Sequence, residues 1–153
     1  MVRPYLIVCL LRVGLGILLA MPCLNAGADI AVIINPQNKL AELSNQDLKK
    51  IFLGRMLLFP NSSREIHPVD LPVENPVFQH FYRQVVELEG VDLKRYRAYY
   101  LFSGRGRLPA VADSPMAVIE TVRQDEGAIG YIDERDVTPD TRVLMMLPLE
   151  TGD

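Results

Sequence analysis

The stretch that decides the fold of this chain lies at residues 29–35 and reads Asp-Ile-Ala-Val-Ile-Ile-Asn. It is short and almost continuously apolar, β-branched side chains dominate it, and Pro36 ends it. A run that is apolar on both faces is typical of a strand buried inside a sheet that helices cover on both sides. The sequence therefore predicts a buried strand here, in a sheet on which helices pack.

Helix signals recur along the chain beyond this strand. Ser44 and Asp47 form a capping-box pattern, and Asn75-Pro76 and Ser114-Pro115 each place an N-cap residue before a proline at the first helical position. Glycines mark the expected ends of the helices. The pattern predicts four helices, over residues 44–54, 75–90, 92–104 and 114–127. Their expected apolar faces include Leu48, Ile51 and Phe52 in the first, Leu93, Tyr96, Tyr99, Tyr100 and Phe102 in the third, and Met116, Val118, Ile119 and Val122 in the fourth.

Three further strands are predicted, over residues 65–70, 128–132 and 143–147. Pro68 lacks the N–H that a sheet needs, so we expect the first of these strands at an edge or a bend. The resulting order of elements is β-α-β-α-α-α-β-β. This order predicts an α/β fold with a mixed sheet of about four strands flanked by helices.

The composition limits the classes of function open to this chain. At 153 residues, 49% of them hydrophobic, it has room for one compact domain. Its formal net charge of −3 gives no overall basic field, so nucleic acid is not expected as a partner. No hydrolase or nucleotide-binding motif occurs, and we expect no enzymatic activity, no catalytic residue and no cofactor. His67, Asp70, Glu74 and His80 match no zinc-binding spacing, so no metal site is expected.

The first 26 residues have the pattern of a signal peptide. Arg3 and Arg12 precede an apolar run, residues 13–24, that is shorter than the roughly 20 residues needed to span a bilayer. We expect cleavage after Ala26, export to the periplasm and a mature domain over residues 27–153. Cleavage would remove both cysteines, Cys9 and Cys23. The alternative is an uncleaved anchor over residues 5–24, which would place Arg12 in the apolar segment.

Three strings of residues occur in a recognisable order: Val-Ile-Ile-Asn at 32–35, Ile-Phe-Leu-Gly-Arg at 51–55 and Glu-Gly-Ala-Ile-Gly-Tyr-Ile at 126–132. In this order the chain resembles the phosphate-binding component of the phosphate ABC transporter, over about residues 29–147. The resemblance is to the second of the two lobes of such a protein. It implies a single lobe of the type II periplasmic-binding-protein fold, phosphate or another small oxyanion as ligand, and an ABC permease as partner.

One segment departs from the pattern of that family. Where the family carries an Arg, an Asp and a Ser-Gly-Thr-Thr run, an alignment without gaps on Phe81 places Leu71, Val73 and the run Asn75-Pro76-Val77. Apolar side chains cannot replace hydroxyl donors, and Pro76 has no amide hydrogen. The resemblance therefore implies the fold more directly than it implies phosphate binding.

Two other places could hold an anion. The loop Ser103-Gly104-Arg105-Gly106-Arg107 combines glycines, which can turn backbone amides toward a ligand, with guanidinium groups that match phosphate or carboxylate geometry. The alternative for this loop is a helix C-cap at Gly104 followed by a solvated basic turn. The second place is the start of the helix at Asn75, where unpaired amides favour an anion. We interpret Ser114 as a plain N-cap.

Two hypotheses on function follow. The first is an exported solute-binding protein that holds phosphate or another small oxyanion without catalysis, with a single lobe or as a homodimer in which a second copy completes the site. The second is a periplasmic interaction module that keeps the lobe fold, has lost ligand binding, and docks an envelope sensor or another envelope protein through the surface around residues 104–109. Oxyanion-dependent stabilisation distinguishes them.

Overall fold

The computed structural model of the chain describes residues 28–104 and 107–148. The predicted signal peptide, with Cys9 and Cys23, and Arg105 of the predicted anion loop lie outside these ranges. Within them, none of the helices combines the length and the apolar character that crossing a bilayer requires. The elements in chain order are β1 (Ile30–Ile34), α1 (Asn45–Phe52), β2 (His67–Asp70), α2 (Pro76–Phe81) with a π turn (Tyr82–Val86), α3 (Gly90–Ser103), β3 (Ala110–Val111), α4 (Pro115–Gln124), β4 (Ala128–Asp133), a 3₁₀ turn (Glu134–Asp136) and β5 (Arg142–Leu147).

The strands form one mixed sheet in the order β3-β2-β4-β1-β5. β1 is antiparallel to both of its neighbours, β4 and β5, whereas β2 is parallel to β3 and to β4. All five residues of β1 are buried, as its apolar sequence predicts. The α/β class with flanking helices is confirmed, but the sheet has five strands where about four were expected. The additional strand, β3, is two residues long and both are exposed, so no apolar run marks it.

Of the two alternatives expected for the strand that contains Pro68, an edge or a bend, the edge is wrong, because β2 lies between β3 and β4. The His67 amide donates to the Gly127 carbonyl on the β4 side at 2.9 Å. Successive amides of a strand point in opposite directions, so the nitrogen of Pro68 faces the β3 side. β3 begins only opposite Val69, one residue further on. The proline is tolerated inside the sheet because the neighbouring strand does not extend to it.

α1 has the predicted capping box. The Asp47 amide donates to Ser44 Oγ at 3.1 Å, and the Ser44 amide donates back to the Asp47 carboxylate at 3.4 Å. The buried side of the helix carries Leu48, Ile51 and Phe52, as predicted. A capped first turn and one apolar stripe are enough to specify this helix.

The helix predicted over residues 75–90 ends earlier than expected. After α2 the chain makes the π turn, and Glu87 follows in the left-handed region with φ of 57°. Helical hydrogen bonding cannot continue through that conformation, so the chain changes direction before Gly90. α3 then begins at Gly90, two residues before the predicted start at Asp92.

Two predicted apolar faces are partly exposed. Tyr99 and Phe102 of α3 are 65% and 88% exposed, and Met116 of α4 is 65% exposed, although all three were expected in the core. Leu93 and Tyr100 are buried as predicted. α3 rests on the protein along a single side, so side chains on its outer side have no element to pack against.

α4 packs on β4 in one part of the core, and one glycine permits the close approach of these elements. A Cβ at Gly130 would lie 2.5 Å from Cγ1 of Val118. Both Val118 and its neighbour Ile119 are buried. No larger residue fits at position 130 unless the helix moves away from the sheet.

Candidate functional site

A buried carboxylate lies at the end of β2. Asp70 has no exposed surface. Its two oxygens accept hydrogen bonds from the hydroxyls of Tyr82, at 2.8 Å, and Tyr131, at 3.0 Å. Nη2 of Arg97, from α3, donates to the same carboxylate at 2.5 Å and to the Tyr82 hydroxyl at 2.6 Å. We call these four residues the Asp70 cluster.

The electrostatics of the cluster follow from its burial. Loss of solvent raises the pKa of Asp70 to about 6 from the usual 3.8, although the charge of Arg97 and the tyrosine hydrogen bonds act in the opposite direction. Burial and the adjacent carboxylate also raise the pKa of Tyr82 and of Tyr131 well above the usual 10.0. At neutral pH the cluster therefore holds an ionised carboxylate, a guanidinium and two protonated phenols.

Arg97 connects the cluster to the surface. Its side chain is 21% exposed, whereas Asp70 beneath it is completely enclosed. The guanidinium carbon lies 5.6 Å from the ring centre of Phe78 and 5.1 Å from that of Tyr82, within the range of a cation–π interaction. Nε is buried and has no hydrogen-bond partner in the described part of the chain. Nη2 thus donates to Asp70 and Tyr82, Nε is enclosed, and Nη1 makes no hydrogen bond within the described residues.

Arg97 also lines a pocket of about 320 Å³ between α2 with its π turn and α3. Phe78, Leu93 and the exposed Val73 form its apolar walls. Its charged groups are Arg97, Lys94 and the ion pair of Arg83 with Glu89, in which Nη2 and a carboxylate oxygen are 3.1 Å apart. An apolar pocket with a few convergent charged groups is the usual form of a small-molecule site.

The predicted anion loop makes contacts within the protein at each of its described polar side chains. Ser103 Oγ donates to the Tyr100 carbonyl at 2.8 Å, and Gly104 ends α3 in the left-handed conformation with φ of 63°. Nη1 of Arg107 lies 3.2 Å from a Glu65 carboxylate oxygen, in an exposed ion pair. Gly104 is thus the C-cap that the alternative interpretation describes, while a role of the loop in anion binding stays a prediction.

The other predicted anion residue, Asn75, lies elsewhere. Its side-chain oxygen accepts the Val77 amide at 2.8 Å, which makes it the N-cap of α2. Asn75 follows the carboxyl end of β2, whereas Arg107 precedes β3 and pairs with Glu65 ahead of β2. Because β2 and β3 are parallel, the two predicted places lie beyond opposite ends of these strands. The structure does not bring them together.

The acidic and histidine residues considered for a metal site are separated as well. Nδ1 of His67 lies 2.6 Å from a carboxylate oxygen of Asp125, and Asp70 belongs to the Asp70 cluster. Among residues 28–104 and 107–148, no group of three histidine, cysteine or acidic side chains is arranged to hold a metal ion.

Sequence reasoning missed the pairing of Asp70 with Arg97. Two signals point toward it. Asp70 ends a strand whose last residues are otherwise buried and mostly apolar, and a buried acid requires a partner. Arg97 lies four residues after Leu93 and three before Tyr100, on the inner side of α3. A cation on the buried side of a helix is the matching half of such a pair.

The comparisons with known proteins concern the fold. No protein-family model matches the sequence, and no curated protein matches it significantly. An ABC-type phosphate transport receptor from Vibrio cholerae superposes with a TM-score of 0.61 at 16% identity, over 82% of this chain and 48% of the receptor. A putative phosphate ABC transporter substrate-binding protein with bound phosphate, from Clostridium perfringens, superposes with a TM-score of 0.61 at 17% identity. The match covers 76% of this chain and 44% of that protein. PstS from Borrelia burgdorferi superposes with a TM-score of 0.55 at 14% identity, over 82% of this chain and 49% of PstS.

These matches confirm the fold that the sequence resemblance implies. The chain spans about half the length of the solved structures that it matches. At these identities the likeness carries the architecture, a mixed sheet flanked by helices, and not the ligand. The described part of the chain therefore has the fold of one part of the phosphate ABC transporter substrate-binding proteins.

Proposed function

We propose that this chain is an exported solute-binding protein that holds a small oxyanion such as phosphate and catalyses no reaction. The observation that carries the proposal is the shared fold with phosphate-transport receptors, to which the chain corresponds over about half their length. The signal-peptide pattern of residues 1–26 supports export to the periplasm. The proposed partner is an ABC permease.

The proposed anion contacts are those predicted from the sequence. Asn75 is the N-cap of α2 and follows the carboxyl end of β2. In open α/β sheets, ligands bind outside the carboxyl ends of strands, which supports a site near this helix start. The loop of Ser103, Gly104, Arg105 and Arg107 stays the second proposed contact. Its described residue Arg107 lies beyond the opposite ends of the strands, so a second copy of the chain would be needed to unite the two sets.

A thermal melt across a phosphate series tests this function. The chain is expressed from residue 1 and purified as the host produces it. Its Tm is measured across the phosphate series and, as the control, across a sulfate series at matched ionic strength. Binding to the folded state alone stabilises it by about 2.7 kcal/mol at a hundredfold excess over the Kd, which raises the Tm by several degrees. A series that is flat for phosphate, with the chain folded, contradicts the proposed function.

The alternative, an interaction module, is favoured by one observation. The outer side of α3 exposes large apolar side chains near its end, with Tyr99 and Leu101 both 65% exposed and Phe102 88% exposed. Clustered exposed apolar residues are typical of protein contact surfaces. A flat phosphate series combined with site-specific cross-linking from position 102 to one envelope protein in the expressing cell would support this role in place of solute binding.

A further inference from the structure

We propose that the pocket between α2 and α3 binds a small organic monocarboxylate with an apolar body, whose carboxylate group pairs with Arg97 and Lys94 while its body lies against Phe78 and Leu93. This goes beyond the phosphate site of the proposed function, because the pocket includes none of the residues assigned to that site. The pocket has three properties that favour such a ligand: a fixed guanidinium, one unbalanced positive charge and an apolar wall.

The first property is the fixed guanidinium. Nη2 of Arg97 donates hydrogen bonds to the Asp70 carboxylate at 2.5 Å and to the Tyr82 hydroxyl at 2.6 Å. Nε is buried, Nη1 makes no hydrogen bond within the described residues, and the side chain keeps 21% exposure where it lines the pocket. The donor left for a ligand in the pocket is therefore Nη1, which forms a charge-assisted hydrogen bond to a carboxylate oxygen. A side chain already held by a buried acid loses little conformational freedom when it binds a ligand.

The second property is the balance of charge. Arg83 pairs with Glu89 and Arg97 pairs with Asp70, so these four charges cancel two by two. Lys94 is exposed, lies one turn before Arg97, and has no ion pair or hydrogen bond with any residue that the structure describes. The pocket therefore carries one unbalanced positive charge. A singly charged anion neutralises it, whereas an ion with two charges would leave an excess of negative charge beside Asp70.

The third property is the apolar wall. The apolar lining comprises Val73, which is 46% exposed, with Phe78 and Leu93, each 5% exposed. The Phe78 ring stacks on Tyr82 with ring centres 4.3 Å apart. Such walls gain free energy only from contact with apolar surface. Inorganic phosphate has none, whereas an aromatic or branched aliphatic carboxylate does. The pocket thus selects an anion by its body as well as by its charge.

Isothermal titration of the full purified chain with benzoate tests the proposal. Benzyl alcohol has the ring without the charge, acetate has the charge with hardly any apolar body, and inorganic phosphate is the ligand of the proposed function. We expect saturable binding of benzoate, at least tenfold weaker binding of benzyl alcohol and acetate, and no competition by phosphate. No saturable binding of benzoate, or equal affinity for benzyl alcohol, would overturn the proposal.

Two pairs of variants locate the site without disturbing the Asp70 cluster. Lys94→Glu reverses the unbalanced charge, and Lys39→Glu makes the same change at an exposed lysine outside the pocket. Val73→Trp fills the pocket from a side chain that is 46% exposed, and Leu58→Trp places the same group on a side chain that is 47% exposed and lies elsewhere. We expect Lys94→Glu to weaken benzoate binding at least tenfold and Val73→Trp to abolish it, with both controls unchanged. Equal effects within either pair would overturn the assignment of the pocket.

The experiments distinguish failure of the proposed phosphate binding from failure of the proposed carboxylate binding in the pocket. A phosphate-dependent rise in Tm that survives Val73→Trp supports the proposed function whatever benzoate does. Benzoate binding that Val73→Trp abolishes supports the pocket even where the phosphate series is flat. Far-UV circular dichroism of each variant establishes that it is folded before its titration is interpreted.

Discussion

Replacement of Asp70 by Asn isolates the effect of one buried carboxylate on stability. Burial raises the pKa of this carboxyl to about 6 in the folded chain, against 3.8 in the unfolded chain. Between these two values the folded state binds more protons than the unfolded state, so the contribution of Asp70 to stability falls as the pH rises. A difference of about two pKa units corresponds to about 3 kcal/mol over the whole window, most of it between pH 4 and pH 7. Asn cannot ionise, so the Asp70→Asn variant lacks this pH-dependent contribution to the free energy of unfolding.

Urea unfolding of the two proteins at a series of pH values measures the effect. The sequence contains no Trp, so far-UV circular dichroism follows the transition. The free energy of unfolding of the natural chain minus that of Asp70→Asn is expected to fall by about 2 kcal/mol from pH 4 to pH 7. Taking this difference cancels the contributions of the other carboxylates, among them Asp47 and Asp133, whose pKa values are lowered by hydrogen bonds to Ser44 and Arg135. A difference that rises with pH would show that the charge of Arg97 and the tyrosine hydroxyls outweigh burial, and the reasoning would be refuted.

Three further predictions test the fold and the anion loop. Gly130→Ala brings a methyl group to 2.5 Å from Val118 and should destabilise the chain by about 1–3 kcal/mol in urea unfolding; an unchanged midpoint would mean that α4 moves freely on the sheet. Ser44→Ala removes the cap of α1 and should cost about 1 kcal/mol in the same assay, with Ser44→Thr nearly neutral as the control. Arg105→Ala combined with Arg107→Ala should abolish phosphate-dependent stabilisation in the melt, and stabilisation retained in that double variant would exclude the loop as the anion site.

The parts of the fold that sequence predicts well are those set by local rules. The capping box at Ser44, the N-caps at Asn75 and Ser114 and the apolar run of β1 each need only a few neighbouring residues, and all are present in the structure. β3 escapes prediction because a strand of two exposed residues has no periodicity. The helix after Asn75 is predicted too long because its apolar spacing continues through the π turn without a break, and the left-handed Glu87 then ends it.

The candidate site is harder to predict, since it depends on contacts between distant elements. Asp70 and Arg97 are joined only because α3 returns across the end of β2, and no local pattern specifies that return. Residue type alone pointed instead to Arg107, whose guanidinium forms an exposed ion pair with Glu65. The signals that indicate this pair are an acid at the end of a buried strand and a cation on the inner side of a helix.

The place of β1 in the sheet has a consequence for the order of folding. β1 is made early, yet its two partners are β4 and β5, in which Asp133 and Leu147 both lie opposite Ile30. About 100 residues separate the strand from these partners, so closing the sheet requires a long loop to form first, which slows folding. While the chain is being synthesised, its most apolar strand has no partner until residues 128–147 are available. During that interval the unpaired apolar strand is a site at which the nascent chain can aggregate.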